Sequence, residues 1–204
     1  RLLAETQIPK VFLDTSSLVS PDELNGDLLL MESRNSVRNI TAHLLEKGCT
    51  LPGFMGDIGY AQSNRERYEG FCQALMDAGK TPNPSLCLTT PLGIDSYREE
   101  IDSFLSSLSR MPDAFVCASD YVACILMQLL EKRGLRVPED VAVSGFDNNI
   151  EDLLAENLTT VQVFNEELGS RLALQILYRI KYPHTPHEVT YLESKVLYRA
   201  STGD

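Results

Sequence analysis

Tryptophan is absent and histidine is scarce, with three in 204 residues. Histidine is the side chain that most readily moves a proton near neutral pH, so its scarcity thins the options for acid–base catalysis. His43 falls in a helical pattern, and His184 and His187 sit in a Pro-rich loop near the end. Also missing are a GxSxG elbow, a GxGxxG loop and a P-loop lysine, the arrangements that expose a nucleophile or cradle phosphates. The five cysteines, Cys49, Cys72, Cys87, Cys117 and Cys124, are irregularly spaced and form no CxxC pair. A zinc site is therefore disfavoured. Thiols within apolar stretches serve as small core residues, and unpaired cysteines fit a reducing cytosol.

Basic charge is short as well. The chain carries 18 Lys and Arg against 29 Asp and Glu, for a net charge of −11. Nucleic-acid affinity comes mostly from basic contacts to phosphate, so this chain is not expected to grip DNA itself. No apolar run approaches the roughly 20 residues that cross a bilayer. The opening "RLLAETQIPKVFLD" lacks the basic-then-apolar order of a secretory signal. Because it starts at Arg1 and not at Met, the chain is expected to be a piece of a longer protein.

Against these absences stands a steady rhythm of short apolar runs and helical patterns. Strands are expected at "VFLD" (11–14), "DLLLM" (27–31), "GFMG" (53–56), "SLCL" (85–88), "AFVCAS" (114–119), "VAVSGF" (141–146) and "LTTVQVF" (158–164). Between them, apolar residues recur at helical spacing: Val37, Ile40 and Leu44 behind a Ser33 cap, then Tyr68, Phe71 and Leu75. The same spacing recurs at Ile101, Phe104, Leu105 and Leu108, and at Val122, Leu126, Leu129 and Leu130. A last long helix carries Leu168, Leu172, Ile176 and Ile180, and "VTYLESKVLYR" (189–199) closes in extended form. Gly48, Gly79 and Gly134 supply helix stops. Strands alternating with helices of this length imply β-α-β units, hence an α/β fold of doubly wound parallel sheets.

In open α/β sheets, ligands settle beyond the carboxyl ends of the strands. Those ends read Asp14, Asp57, Ser119 with Asp120, and Asp147, and the loop "YAQSNRER" (60–67) adds Ser63 and Arg67. Each has a plainer reading. Ser119 or Asp120 can cap the following helix, Asp14 can hold a turn, and Asp147 can cap "IEDLLAEN" (150–157). Taken together they suggest binding, since no nucleophile or metal cluster stands beside the carboxylates.

The segment "PDAFVCASDYVACILMQLLEKRGLRVPEDVAVSGFDN" followed by "LTTVQVFNEELG" closely resembles the effector-binding domain of LacI/GalR transcriptional regulators. "IPKVFLD", "HLLEKG", "RERYEGF" and "YRAST" fall in the family's order, so the resemblance covers essentially the whole chain. It implies a periplasmic-binding-protein-like fold of two subdomains, with residues 1–31 and 163–191 in an incomplete N-terminal one. Residues 32–162 and 192–204 would form the C-terminal one. A small effector, a sugar in many members, would lie between them, bound by Asp14, Ser63, Arg67, Ser119, Tyr121 and Asp147. Ser119 stands where the family often has Asn, and Tyr121 also departs from its pattern. No cofactor or metal is implied. The resemblance further implies a cytoplasmic homodimer that meets operator DNA only through a helix-turn-helix domain outside this chain. A solute-binding protein of sugar transport, with the same fold, is the alternative.

Overall fold

The computed structural model describes residues 6–93, 95–148 and 156–204. In chain order it contains β1 (Val11–Leu13), β2 (Asp27–Met31), α1 (Arg34–Glu46), β3 (Pro52–Met55) and α2 (Gln62–Asp77). Then come β4 (Cys87–Leu88), α3 (Tyr97–Ser107), β5 (Ala114–Cys117), α4 (Asp120–Lys132) and β6 (Ala142–Ser144). The chain continues through β7 (Thr160–Gln162), α5 (Asn165–Lys181), β8 (Val189–Leu192) and β9 (Lys195–Leu197).

The strands form a parallel sheet in the order β4-β3-β5-β6, a second parallel sheet in the order β1-β2-β8 and a two-stranded antiparallel sheet of β7 and β9. The four-stranded sheet shows why alternation in sequence becomes two layers of helix. Along β5, Ala114 and Val116 face one way and Phe115 and Cys117 the other, as the strand period of two requires. Ala114 and Val116 pack with Val37, Ile40 and Leu44 of α1 and Phe71 and Leu75 of α2. Phe115 and Cys117 pack with Ile101 and Leu105 of α3 and Leu126, Leu129 and Leu130 of α4. Each fully buried side chain of this size contributes about 1.5–3 kcal/mol of transfer free energy. The fold is α/β with parallel sheets, as expected.

Four expectations are corrected. "SLCL" is a strand only at Cys87–Leu88, because Pro84 opens a tight 3-10 turn over Pro84–Leu86. Ser33 sits before α1, but its side chain makes no cap bond; the Glu32 carboxylate accepts from the Asn35 and Ser36 backbone N–H groups instead. The closing extended run divides at Glu193–Ser194 into β8, parallel to β2, and β9, antiparallel to β7. Finally, α5 does not bury the stripe ending at Ile180, which is 59% exposed. At about 100° per residue, Leu168 and Ile180 lie about 120° apart around a helix, whereas Gln175 and Arg179 stay within about 20° of Leu168. Leu168, Gln175 and Arg179 are the buried face.

That polar face exists to meet Asp27, which is 1% exposed at the start of β2. Its carboxylate accepts from both Nε and Nη2 of Arg179, from Gln175 Nε2 at 2.8 Å and from the Glu188 backbone N–H at 2.9 Å. The chain turns at Glu32–Ser33 between β2 and α1, and at Glu193–Ser194 between β8 and β9. There Ser36 Oγ lies 2.8 Å from Ser194 Oγ, and Ser194 Oγ donates to the Glu32 carbonyl at 2.7 Å. The Glu32 N–H in turn donates to the Leu192 carbonyl at 2.7 Å.

Replacing Arg179 by Met leaves Asp27 buried and uncompensated, and should cost about 3–5 kcal/mol in urea unfolding. Burial would raise the Asp27 pKa, but its hydrogen bonds from Arg179, Gln175 and Glu188 hold it below the usual value. A lowered folded pKa means the stabilisation is complete above the unfolded value of about 3.9 and is lost as pH falls through the folded value. Wild-type stability should therefore fall below about pH 4, and Asp27→Asn, already weaker, should lose less over that range.

Candidate functional site

The strand carboxyl ends place the polar residues. Asp14 follows β1, Asp57 follows β3, Ser119 follows β5 and Asp147 follows β6. Two of these have backbones that L-residues rarely adopt: φ is 57° at Asp14 and 115° at Asp147. Such conformations cost on the order of 1–3 kcal/mol and persist only where the surroundings impose them.

At Asp14 the surroundings are the N-terminus of α2. Asp14 Oδ2 accepts from Ser63 Oγ at 2.6 Å, and Oδ1 accepts from the Thr15 N–H at 2.7 Å and the Ser63 N–H at 3.4 Å. The Gln62 N–H donates to the Thr15 carbonyl at 2.7 Å. Ala61, at the N-cap, has no side chain to serve α2, so a carboxylate from the other sheet meets its free N–H groups and positive dipole end.

Four residues on from Ser63, and so on the same face of α2, Arg67 is 8% exposed. Its guanidinium carbon lies 3.6 Å from the centroid of the buried Phe146 ring. Nη1 donates to the Ala118 carbonyl and to Asn64 Oδ1, and Nη2 is 3.7 Å from Asp147 Oδ1. Nε has no hydrogen-bond partner among the described residues. Burial lowers the Arg67 pKa, and Asp147, Asp14, Asp120 and Glu66 oppose that shift. Around Asp147 the protein's desolvation raises the carboxyl pKa and Arg67 pulls it back, although the side chain keeps 41% of its exposure.

The structure thus brings Asp14, Ser63, Arg67 and Asp147 together through α2. Ser119 and Tyr121 have other partners. Ser119 is the N-cap of α4, its oxygen accepting from the Val122 N–H at 3.3 Å. Tyr121 is 61% exposed and meets Tyr97 edge-to-face at 5.5 Å. Asp120 accepts from Thr160 Oγ1 at 2.6 Å, and its N–H donates to the Phe146 carbonyl at 2.8 Å, binding α4 to β6 and β7. Gly145 lets it do so, because a Cβ there would stand 2.2 Å from Asp120 Oδ1. Asp57 holds a turn through the Gly59 N–H at 2.7 Å. The Asp147 cap on "IEDLLAEN" would fall at residues 150–155, which lie outside the described residues.

Sequence reasoning missed Glu66. It is 3% exposed and accepts from Tyr191 Oη of β8 at 2.8 Å and from Gln62 Nε2 at 3.2 Å. Burial and this bond to Glu66 push the Tyr191 phenol up to about 12. A lone Glu in "QSNRER" reads as solvated face; only its helical position between Ser63 and Arg67 signals otherwise. No group of three or more His, Cys, Asp or Glu suited to a metal occurs among the described residues. Nor, among them, is any helix long and apolar enough to cross a membrane.

A family model, the periplasmic binding protein-like domain, matches residues 41–202. The chain belongs to that family. This periplasmic binding protein-like domain is 28% identical over 203 residues to the HTH-type transcriptional repressor PurR of Aliivibrio salmonicida, covering 98% of this chain and 59% of that protein. It superposes with a TM-score of 0.81 on a structure from Sanguibacter keddieii assigned to the LacI family of transcriptional regulators, at 26% identity, covering 96% of this chain and 72% of the other. It superposes with a TM-score of 0.80 on the regulator CelR in its cellobiose complex, also at 26% identity, covering 94% of this chain and 58% of the other. The relatives are regulators of transcription, and the chain spans about three fifths of the length of PurR.

Since Ser119 caps α4, Ser119→Ala should lower stability by about 1 kcal/mol, read as a shifted urea midpoint.

Proposed function

We propose that this domain is the effector sensor of a LacI-type transcriptional regulator, and that its effector is a small polyhydroxylated metabolite, a sugar. The observation that carries this is the gathering of Asp14, Ser63, Arg67 and Asp147 at the strand ends, two of them on strained backbone. Carboxylates accept several hydrogen bonds and a guanidinium donates several, which suits neighbouring hydroxyls. The CelR structure, with cellobiose bound, supports a sugar. Ser119, whose cap bond leaves a hydroxyl proton to donate, and the exposed Tyr121 are the outer members of the set.

Asp14 comes from the three-stranded sheet and Ser63, Arg67 and Asp147 from elements of the other. An effector held by both sheets favours one relative placement of them over another. Such a difference in affinity between two states is what allostery requires. The reading continues beyond this chain: a cytoplasmic homodimer, with a helix-turn-helix domain elsewhere in the protein touching the operator. The net charge of −11 supports leaving DNA contact to that other part.

Titration of the full-length protein with sugars should change its operator affinity; operator binding indifferent to every sugar would refute the proposal. Asp147→Ala should weaken effector binding roughly ten- to a hundredfold, as loss of a charged hydrogen bond costs about 1.5–3 kcal/mol. Isothermal titration checks this, with unfolding curves run alongside. Arg67→Ala is a poorer test, because it also strips a partner from the Ala118 carbonyl and the Phe146 ring.

A further inference from the structure

We propose that Tyr191 and Glu66 are a positioning pair for the effector site. Their hydrogen bond ties β8 to α2, and so sets in advance how Asp14 stands against Ser63 and Arg67. This rests on the sensing role proposed above and names residues that tune it without touching the effector. The site draws on two structural units. Asp14 follows β1, which shares a sheet with β2 and β8, whereas Ser63 and Arg67 stand on α2, which packs on the other sheet.

Glu66 lies between Ser63 and Arg67 on α2, and at 3% exposure it is closed to an effector. Its Oε1 accepts from Tyr191 Oη at 2.8 Å and from Gln62 Nε2 at 3.2 Å. Tyr191 pairs with Leu30 of β2, and the Asp14 N–H donates to the carbonyl of the preceding Leu29 at 3.0 Å. One hydrogen-bonded sheet therefore carries both Asp14 and Tyr191 to the same helix. Burial and Glu66 raise the Tyr191 pKa and Asp14 adds to the rise, so the phenol also lies near the Asp14 carboxylate. A hydrogen bond to a charged acceptor is among the stronger kinds, and arrangements that part β8 from α2 lose it. An effector that needs Asp14 and Arg67 at once then finds them already ordered. Affinity rises with the fraction of protein held in the competent arrangement. Tyr191 keeps 50% of its exposure, so removing its hydroxyl opens no cavity.

The test uses the full-length protein and isothermal titration. Its probe is whichever of glucose, galactose, ribose, maltose and cellobiose the wild type binds most tightly. Tyr191→Phe should bind that sugar about tenfold more weakly, the worth of one hydrogen bond to a carboxylate. Glu66→Leu should lose at least as much, and adding Tyr191→Phe to it should cost nothing further, because both remove one bond. Glu66→Gln, whose amide oxygen still accepts from the phenol, should stay within about threefold of wild type. Urea midpoints are read alongside. Full affinity in Tyr191→Phe, with or without a lowered midpoint, makes the bond merely structural and overturns the inference while the sensing role stands. Losses that multiply in the double variant also overturn it, since the two residues then act separately. A wild type that binds none of the five sugars takes down the sugar-sensing role and the positioning role with it.

Discussion

The guanidinium of Arg67 is the interaction around which the strand ends are organised. A single side chain from α2 reaches the carbonyl that closes β5, the ring that closes β6 and the carboxylate just beyond it. Three segments far apart in sequence therefore share one planar cation. Burying it carries a desolvation cost, visible in its lowered pKa, and the surrounding carboxylates offset that cost. A flat fork can bond in its plane and stack on its face at once, which an ammonium cannot do. The position is specific to arginine for that reason.

Asp14 plays the complementary part. It is a negative group from the three-stranded sheet set against the positive end of a helix that belongs to the other sheet. The left-handed backbone at Asp14 and the missing cap at Ala61 are two sides of one arrangement. Neither is comfortable by itself. Together they bring a carboxylate and a hydroxyl to the place where the end of β1 meets the start of α2.

Much of this was legible in the residues because two periods are hard to confuse. β5 divides its side chains between two cores, and α1 and α4 keep theirs on the expected faces. The strand ends could be read off the same pattern, and with them Asp14, Arg67 and Asp147. What stayed hidden was partnership over distance. Nothing near Asp27 announces Arg179, 152 positions away, so an apolar stripe was expected on α5 where the buried face is polar. Ser119 illustrates a different limit: one hydroxyl chemistry suits a helix cap and a ligand equally, and only coordinates show the Val122 bond. Glu66 was concealed by its company, a charged run in which most residues meet water.

The stitching of Glu32, Ser36 and Ser194 has a mechanical consequence. The turn after β2 and the turn between β8 and β9 are fastened to one another there, side by side, by short hydrogen bonds. Strips joined along such a line resist slipping past each other yet still fold, as a page does at its binding. Sliding of one turn past the other would break these bonds, so the two are held in register there.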